Sequence, residues 1–115
     1  MKKILLIVLV LIAGCAKEPI DLKTLERKNG VAYTKDTNEP YTGAVFTLYS
    51  SGEKKREGYL KDGELDGKYT WYLKSGQMYE EGNYKDGKKD GKYTHYYENG
   101  QIYDILNWKD GELNG

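Results

Sequence analysis

One cysteine, one histidine, one phenylalanine and two prolines stand in a chain of 115 residues. A single cysteine rules out a disulfide scaffold, and with only one histidine beside it neither a zinc site nor a Cys–His nucleophile pair can be assembled. Basic and acidic residues number 18 each, so no net charge draws the chain to nucleic acid or keeps it expanded. No apolar run reaches the roughly 20 residues of a membrane-spanning helix. Hydrophobic residues make up only 38%, too few for a large core, and the length allows one domain. What is abundant is tyrosine and glycine, 12 and 14 residues, set among 31% charged residues. That is the composition of a thin, tyrosine-rich β protein.

The chain repeats itself. Gly43, Gly67, Gly91 and Gly115 are each 24 residues apart, and the segments they open align without insertion. Residues 43–66 read GAVFTLYSSGEKKREGYLKDGELD, residues 67–90 read GKYTWYLKSGQMYEEGNYKDGKKD, and residues 91–115 read GKYTHYYENGQIYDILNWKDGELNG. Each copy predicts a β-hairpin. Ser51-Gly52, Ser75-Gly76 and Asn99-Gly100 are read as two-residue type I′ turns, which need φ > 0 at both central positions. Lys-Asp-Gly at 61–63, 85–87 and 109–111 marks the turns into the next hairpin.

A two-residue turn fixes the register. It sets Leu73 opposite Met78, Tyr72 opposite Tyr79, Trp71 opposite Glu80 and Tyr69 opposite Gly82. In the third repeat it sets Tyr97 opposite Ile102, Tyr96 opposite Tyr103, His95 opposite Asp104 and Tyr93 opposite Leu106. Alternation puts Tyr69, Trp71, Leu73 and Met78 on one face, and Thr70, Tyr72 and Tyr79 on the other. Neither face is apolar enough for a sandwich. The expected fold is all-β, a single-layer elongated meander of stacked antiparallel hairpins. Residues 25–42, with Asn29-Gly30 between two short β-like runs, are read as an N-terminal cap hairpin and connector.

The first fifteen residues carry an address. Met1-Lys2-Lys3 precedes the apolar run Ile4 to Ile12 and then Ala13-Gly14-Cys15, the order of a secretory signal. Leu11-Ile12-Ala13-Gly14-Cys15 resembles the lipobox of bacterial lipoproteins. The resemblance implies a diacylglycerol on the Cys15 thiol, cleavage before Cys15 and acylation of the new amine. A thiolate suits that alkylation, and two or more acyl chains anchor stably where one does not. Residues 1–14 are thus expected to be a lipoprotein signal peptide and residues 15–24 a lipidated tether, with the protein held to the membrane in the cell envelope. In that family an aspartate after the cysteine can signal inner-membrane retention. Ala16 stands here, which points to the outer membrane where the organism has one.

The stretch G-K-Y-T-x-Y-x-x-x-G-Q-x-Y-x-E-G-x-Y-K-D-G-K-x-D-G at 67–91 resembles the MORN-repeat family in its bacterial variant form. Glu39-Pro40-Tyr41-Thr42-Gly43, preceded by Asn29-Gly30-Val31-Ala32-Tyr33, is similar to the start of proteins described as YwqK-type antitoxins. The resemblance covers about residues 25–115. It implies a stacked hairpin solenoid that serves as a scaffold or membrane-associated interaction module, and the antitoxin likeness implies neutralisation of a partner protein.

Catalysis finds little support in the residues. His95 with Asp104 forms a predicted cross-strand pair with no nucleophile beside it, and the adjacent carboxylates Glu80 and Glu81 point to opposite faces. Asp62, Asp86 and Asp110 beside glycine read as turn formers, with no calcium-loop spacing around them. No metal, cofactor or nucleic acid is expected. Lys54-Lys55-Arg56 and Lys88-Lys89 read as solvated edge charges. The candidate partner-binding residues are Trp71, Tyr72, Tyr79, Tyr96, Tyr103 and Trp108, because exposed Tyr and Trp make protein hot spots and also stack on sugars. Three functions follow: a membrane-anchored scaffold for an unknown protein partner, an antitoxin or immunity protein, and a cell-wall glycan binder. The last hairpin also offers an open edge for strand addition or self-association.

Overall fold

The computed structural model describes residues 18–114. The expected signal peptide, Cys15 and the first residues of the tether lie outside the described residues. Among the described residues the chain is all-β, apart from one 3-10 turn at Leu22–Thr24. Strands β1 (Ile20–Asp21), β2 (Leu25–Lys28) and β3 (Val31–Thr34) precede the repeats. Repeat 1 supplies β4 (Gly43–Leu48), β5 (Lys54–Lys61) and β6 (Glu64–Leu65). Repeat 2 supplies β7 (Gly67–Tyr72), β8 (Met78–Lys85) and β9 (Lys88–Lys89), and repeat 3 supplies β10 (Gly91–Tyr96), β11 (Ile102–Lys109) and β12 (Glu112–Leu113). The main sheet runs β1-β4-β5-β7-β8-β10-β11-β12, with β6 on β5 and β9 on β8. It is the expected open meander of hairpins, drawn out to 54 × 35 × 27 Å.

Residues 20–24 differ from their reading as tether. Ile20 and Asp21 pair in parallel with Val45 and Phe46, and the Asp21 side chain accepts a hydrogen bond from the Lys23 amide at 3.0 Å. Ile20 and Leu22 are drawn in because they pack against an apolar cluster of buried residues, which joins Leu25, Ala32 and Tyr41 to Val45 and Leu60. The hairpin β2–β3 thus covers the first repeat, and apolar burial decides where the fold begins.

The two classes of turn exchange the roles expected of them. Positive φ at both central residues occurs in the Asp-Gly pairs: Asp62 and Gly63 at 51° and 83°, Asp86 and Gly87 at 50° and 83°, Asp110 and Gly111 at 52° and 84°. Asn29 and Gly30 match them at 53° and 80°. At the other end of each hairpin only the glycine is left-handed, Gly52, Gly76 and Gly100 at 104°, 94° and 93°. There the Gly76 amide donates to the Leu73 carbonyl and the Leu73 amide to the Gln77 carbonyl, both at 2.8 Å. This is a three-residue loop, Lys74-Ser75-Gly76, built as a tight turn followed by a left-handed glycine.

The extra loop residue shifts the register next to the turn. Tyr72 pairs with Met78, not Tyr79, and Tyr96 pairs with Ile102, not Tyr103. A bulge between Trp71 and Tyr72, and again between His95 and Tyr96, absorbs one residue. Beyond it the expected pairs are present: Trp71–Glu80, Tyr69–Gly82, His95–Asp104 and Tyr93–Leu106. Tyr79 therefore lies edge-on to Trp71, with ring centroids 5.6 Å apart, instead of sharing a face with Tyr72.

Candidate functional site

Repeat 2 is built to receive repeat 3. A Cβ placed on Gly82 would lie 2.0 Å from Cε1 and 2.1 Å from Cδ1 of Tyr93, so the Tyr93 ring fills the space that glycine leaves. Tyr93 is the largest fully buried side chain. Tyr84 meets it edge-on at 6.1 Å and itself meets Tyr69 at 5.4 Å. The Lys89 ammonium sits 4.7 Å from the Tyr93 ring and 4.5 Å from the Trp108 ring. The Arg56 guanidinium lies 5.9 Å from the Trp71 ring. Lys55 likewise lies 5.6 Å from the Tyr49 ring, so three residues read as solvated edge charges are cations held over aromatic faces.

On the opposite face a tyrosine of repeats 2 and 3 reaches back to a glutamate of the repeat before it. The Tyr72 hydroxyl donates to Glu57 at 2.8 Å, and the Tyr96 hydroxyl to Glu81 at 3.3 Å. Lys54 and Lys68 pair with the same glutamates, each at 2.8 Å. The Lys54 hydrogen bond, ahead of the one from Tyr72, holds the Glu57 carboxyl below the usual carboxylate range. Lys68 does the same for Glu81. Burial, then the bond to Glu57, pushes the Tyr72 phenol up to about 12. Burial pushes Tyr93 and Tyr96 up as well.

The six aromatic candidates do not gather into one patch. Trp71 and Tyr79 pack together on one face. Tyr72 and Tyr96 are tied to Glu57 and Glu81 on the other. Trp108 is half-buried beneath Lys89. Tyr103 is 61% exposed and meets Tyr97 edge-on at 5.1 Å. His95 accompanies Asp104, with Nδ1 2.7 Å from the carboxylate and Nε2 3.7 Å from Glu80. Among the described residues no group of three or more His, Cys, Asp and Glu side chains is placed to hold a metal ion.

Exposed apolar side chains gather instead on the last hairpin. Of eight large hydrophobic residues exposed among the described residues, five lie there: Tyr97, Ile102, Tyr103, Ile105 and Leu113. Sequence reasoning singled out only Tyr103 for binding. The signal was present in the repeat alignment, where Ile105 and Leu106 replace the Glu81 and Gly82 of repeat 2 and the Glu57 and Gly58 of repeat 1.

The structural period and the family comparison agree. No curated protein and no solved structure matches the chain. Two adjacent stretches, residues 65–86 and 89–110, match the model of the MORN repeat variant, and they are spaced by the same 24 residues that separate the hairpins.

Proposed function

We propose that the protein is a non-enzymatic, membrane-anchored lipoprotein that presents its hairpin repeats as a protein-interaction scaffold, with the last hairpin as the docking surface. One observation carries the reading: five of the eight large apolar residues exposed among the described residues lie between residues 97 and 113, on the last hairpin. A concentration of exposed large apolar side chains in one element marks an interaction site. The likeness of residues 65–86 and 89–110 to the MORN repeat variant supports a binding role over catalysis. The lipobox-like Leu11–Cys15 supports the anchor.

Two experiments test it. A photoreactive phenylalanine at position 103, in the full chain in its own membranes, is expected to give a cross-linked product that the same probe at Tyr59 does not. Absence of any product from position 103 removes the docking surface. Membrane fractionation and N-terminal mass of the wild type beside Cys15→Ser test the anchor. Lipid on Cys15 and release of the variant are expected, whereas a soluble wild type with Met1 intact refutes it.

A further inference from the structure

We infer that repeat 1 holds a binding site, over Gly58 and beside Arg56, for a small carboxylate with an apolar body. The site belongs to the first repeat and stands independently of the docking surface on the last hairpin.

The space is a socket left open. Gly58 and Gly82 are equivalent positions, 24 residues apart, and so are Tyr69 and Tyr93. A Cβ on Gly82 would lie 2.0 Å from the Tyr93 ring, whereas one on Gly58 would lie 3.5 Å from Tyr69 and 3.2 Å from Leu65. Tyr93 is fully buried and Tyr69 is half-buried. The later ring fills its socket and the earlier one stands off. A recess of about 180 Å³ opens there, between the cap hairpin and repeat 1. Leu22, Val45 and Leu60 give it an apolar lining. The rings of Tyr69 and Tyr84, 5.4 Å apart, line it as well.

The charge in the recess has one sign. Arg27 of the cap hairpin and Arg56 of β5 both line it. Glu57 borders it too, but its carboxylate is held by Lys54 and Tyr72 on the opposite face. Positions 56, 80 and 104 are equivalent in the three repeats, and the last two are acidic: Glu80 and Asp104 both flank His95. Arg56 reverses that sign. Among the described residues neither Arg56 nor Arg27 forms an ion pair. The Arg56 Nε donates to the Thr47 hydroxyl at 3.3 Å, and the guanidinium lies 5.9 Å from the Trp71 ring. Both partners are neutral. Burial raises the Tyr69 phenol although the Arg56 guanidinium beside it pulls the other way, so ring and cation share one water-poor surround. A half-buried cation with no counter-ion is costly, and an anion entering the recess would relieve that cost.

Size and lining choose the ligand. Pockets for drug-sized molecules run to about 300–1,000 Å³, so this recess takes a single group of amino-acid size. The planar fork of a guanidinium matches a carboxylate with two parallel hydrogen bonds. The leucine and valine lining suits a hydrocarbon body next to that charge. A free small acid and the C-terminal residue of a peptide share this chemistry.

The test uses the full chain in detergent and ligand-observed NMR saturation transfer. The probe is N-acetyl-leucine, and its amide is the uncharged twin. Saturable binding of the acid at about millimolar strength is expected, with the amide about tenfold weaker or more. Arg56→Gln is expected to weaken the acid about tenfold or more, and Arg56→Lys, which keeps the charge but not the fork, by a smaller factor. Arg27→Gln, on the exposed side of the recess, is also expected to weaken it. No saturable binding at about 10 mM acid, or equal binding of acid and amide, overturns the site. So does unchanged binding by folded Arg56→Gln. Should that variant fail to fold, Arg27→Gln decides, and unchanged binding there overturns the two-arginine recess. Displacement of the acid by an equal concentration of inorganic phosphate would overturn the apolar body. The tripeptide Ala-Ala-Leu with a free carboxylate separates the two sources. Binding as tight as that of N-acetyl-leucine assigns a chain terminus, and exclusion of the tripeptide assigns a free acid.

Discussion

Substituting Gly82 by alanine adds a methyl group where the Tyr93 ring lies. The new Cβ would be 2.0 Å from Cε1 and 2.6 Å from Cζ of a ring that is 0% exposed, so the ring must move. Overpacking of a filled site costs about 1–3 kcal/mol, and complete loss of a large buried aromatic costs about 3–5 kcal/mol. Alanine returns about 0.5–1 kcal/mol over glycine in a strand. The net expectation is a loss of about 2–4 kcal/mol, or about 1.5–2.5 M in the urea midpoint for a small domain. Gly58→Ala is the control. Its Cβ would come no closer than 3.2 Å to Leu65 and 3.5 Å to Tyr69, and its cost should stay within about 1 kcal/mol. Unfolding followed by Trp71 and Trp108 fluorescence gives both values. In a Tyr93→Ala background the cost of Gly82→Ala should vanish, giving a coupling of about 2 kcal/mol or more. Equal midpoints for Gly58→Ala and Gly82→Ala, or an unchanged cost without Tyr93, would refute the socket.

Asp86→Ala, at φ 50°, should cost about 1–2 kcal/mol, with Asp86→Asn near neutral; Ser75→Ala, outside any left-handed position, should stay within about 0.5 kcal/mol. A reversed order in chemical denaturation would mean the turns are misassigned. Tyr72 keeps its proton to about pH 12 when folded, against the ordinary value of 10. Its contribution is therefore full below pH 10 and declines as pH rises toward 12, and Tyr72→Phe should flatten that part of the alkaline unfolding curve. Glu57 and Glu81, with carboxyls held low by Lys54 and Lys68, contribute above the usual carboxylate range and lose that contribution as pH falls through their lowered values. Glu81→Gln should shallow the acid limb of stability, and an unchanged limb would show the pair to be idle.

Much of the fold was legible because the 24-residue repeat is free of insertions. Strand arms, the Trp71–Glu80 and His95–Asp104 pairs and the Tyr69–Gly82 contact all follow from it. The turn types did not. Asn-Gly is the usual mark of a type I′ turn, yet Asn99-Gly100 sits in a longer loop, and the bulge opposite Tyr96 hides the difference by restoring the register. Periodicity cannot detect an error of one residue that is cancelled two residues later. The aromatic candidates were chosen by type, but Trp71 and Tyr72 are neighbours on a strand and part company by simple alternation. Arg56 and Lys89 escaped notice because a cation over a ring looks, in sequence, like any charged strand residue. The exposed apolar character of the last hairpin was legible only by comparing repeats with one another, at Ile105.

The two long sides of the molecule are not equivalent. On one side the Gly63, Gly87 and Gly111 amides donate to the carbonyls of Tyr41, Leu65 and Lys89, each one unit earlier, at 2.7–2.9 Å. The Thr42 hydroxyl and the Asp66 carboxylate also accept from the next turn's Asp62 and Asp86 amides. On the other side the loops 49–53, 73–77 and 97–101 close on themselves. A foreign peptide grafted between Lys74 and Gly76 would leave this seam intact, whereas one grafted between Asp86 and Gly87 would cut a stitch joining two units. The loop side is where the molecule can carry new cargo, and the seam side is where it keeps its length.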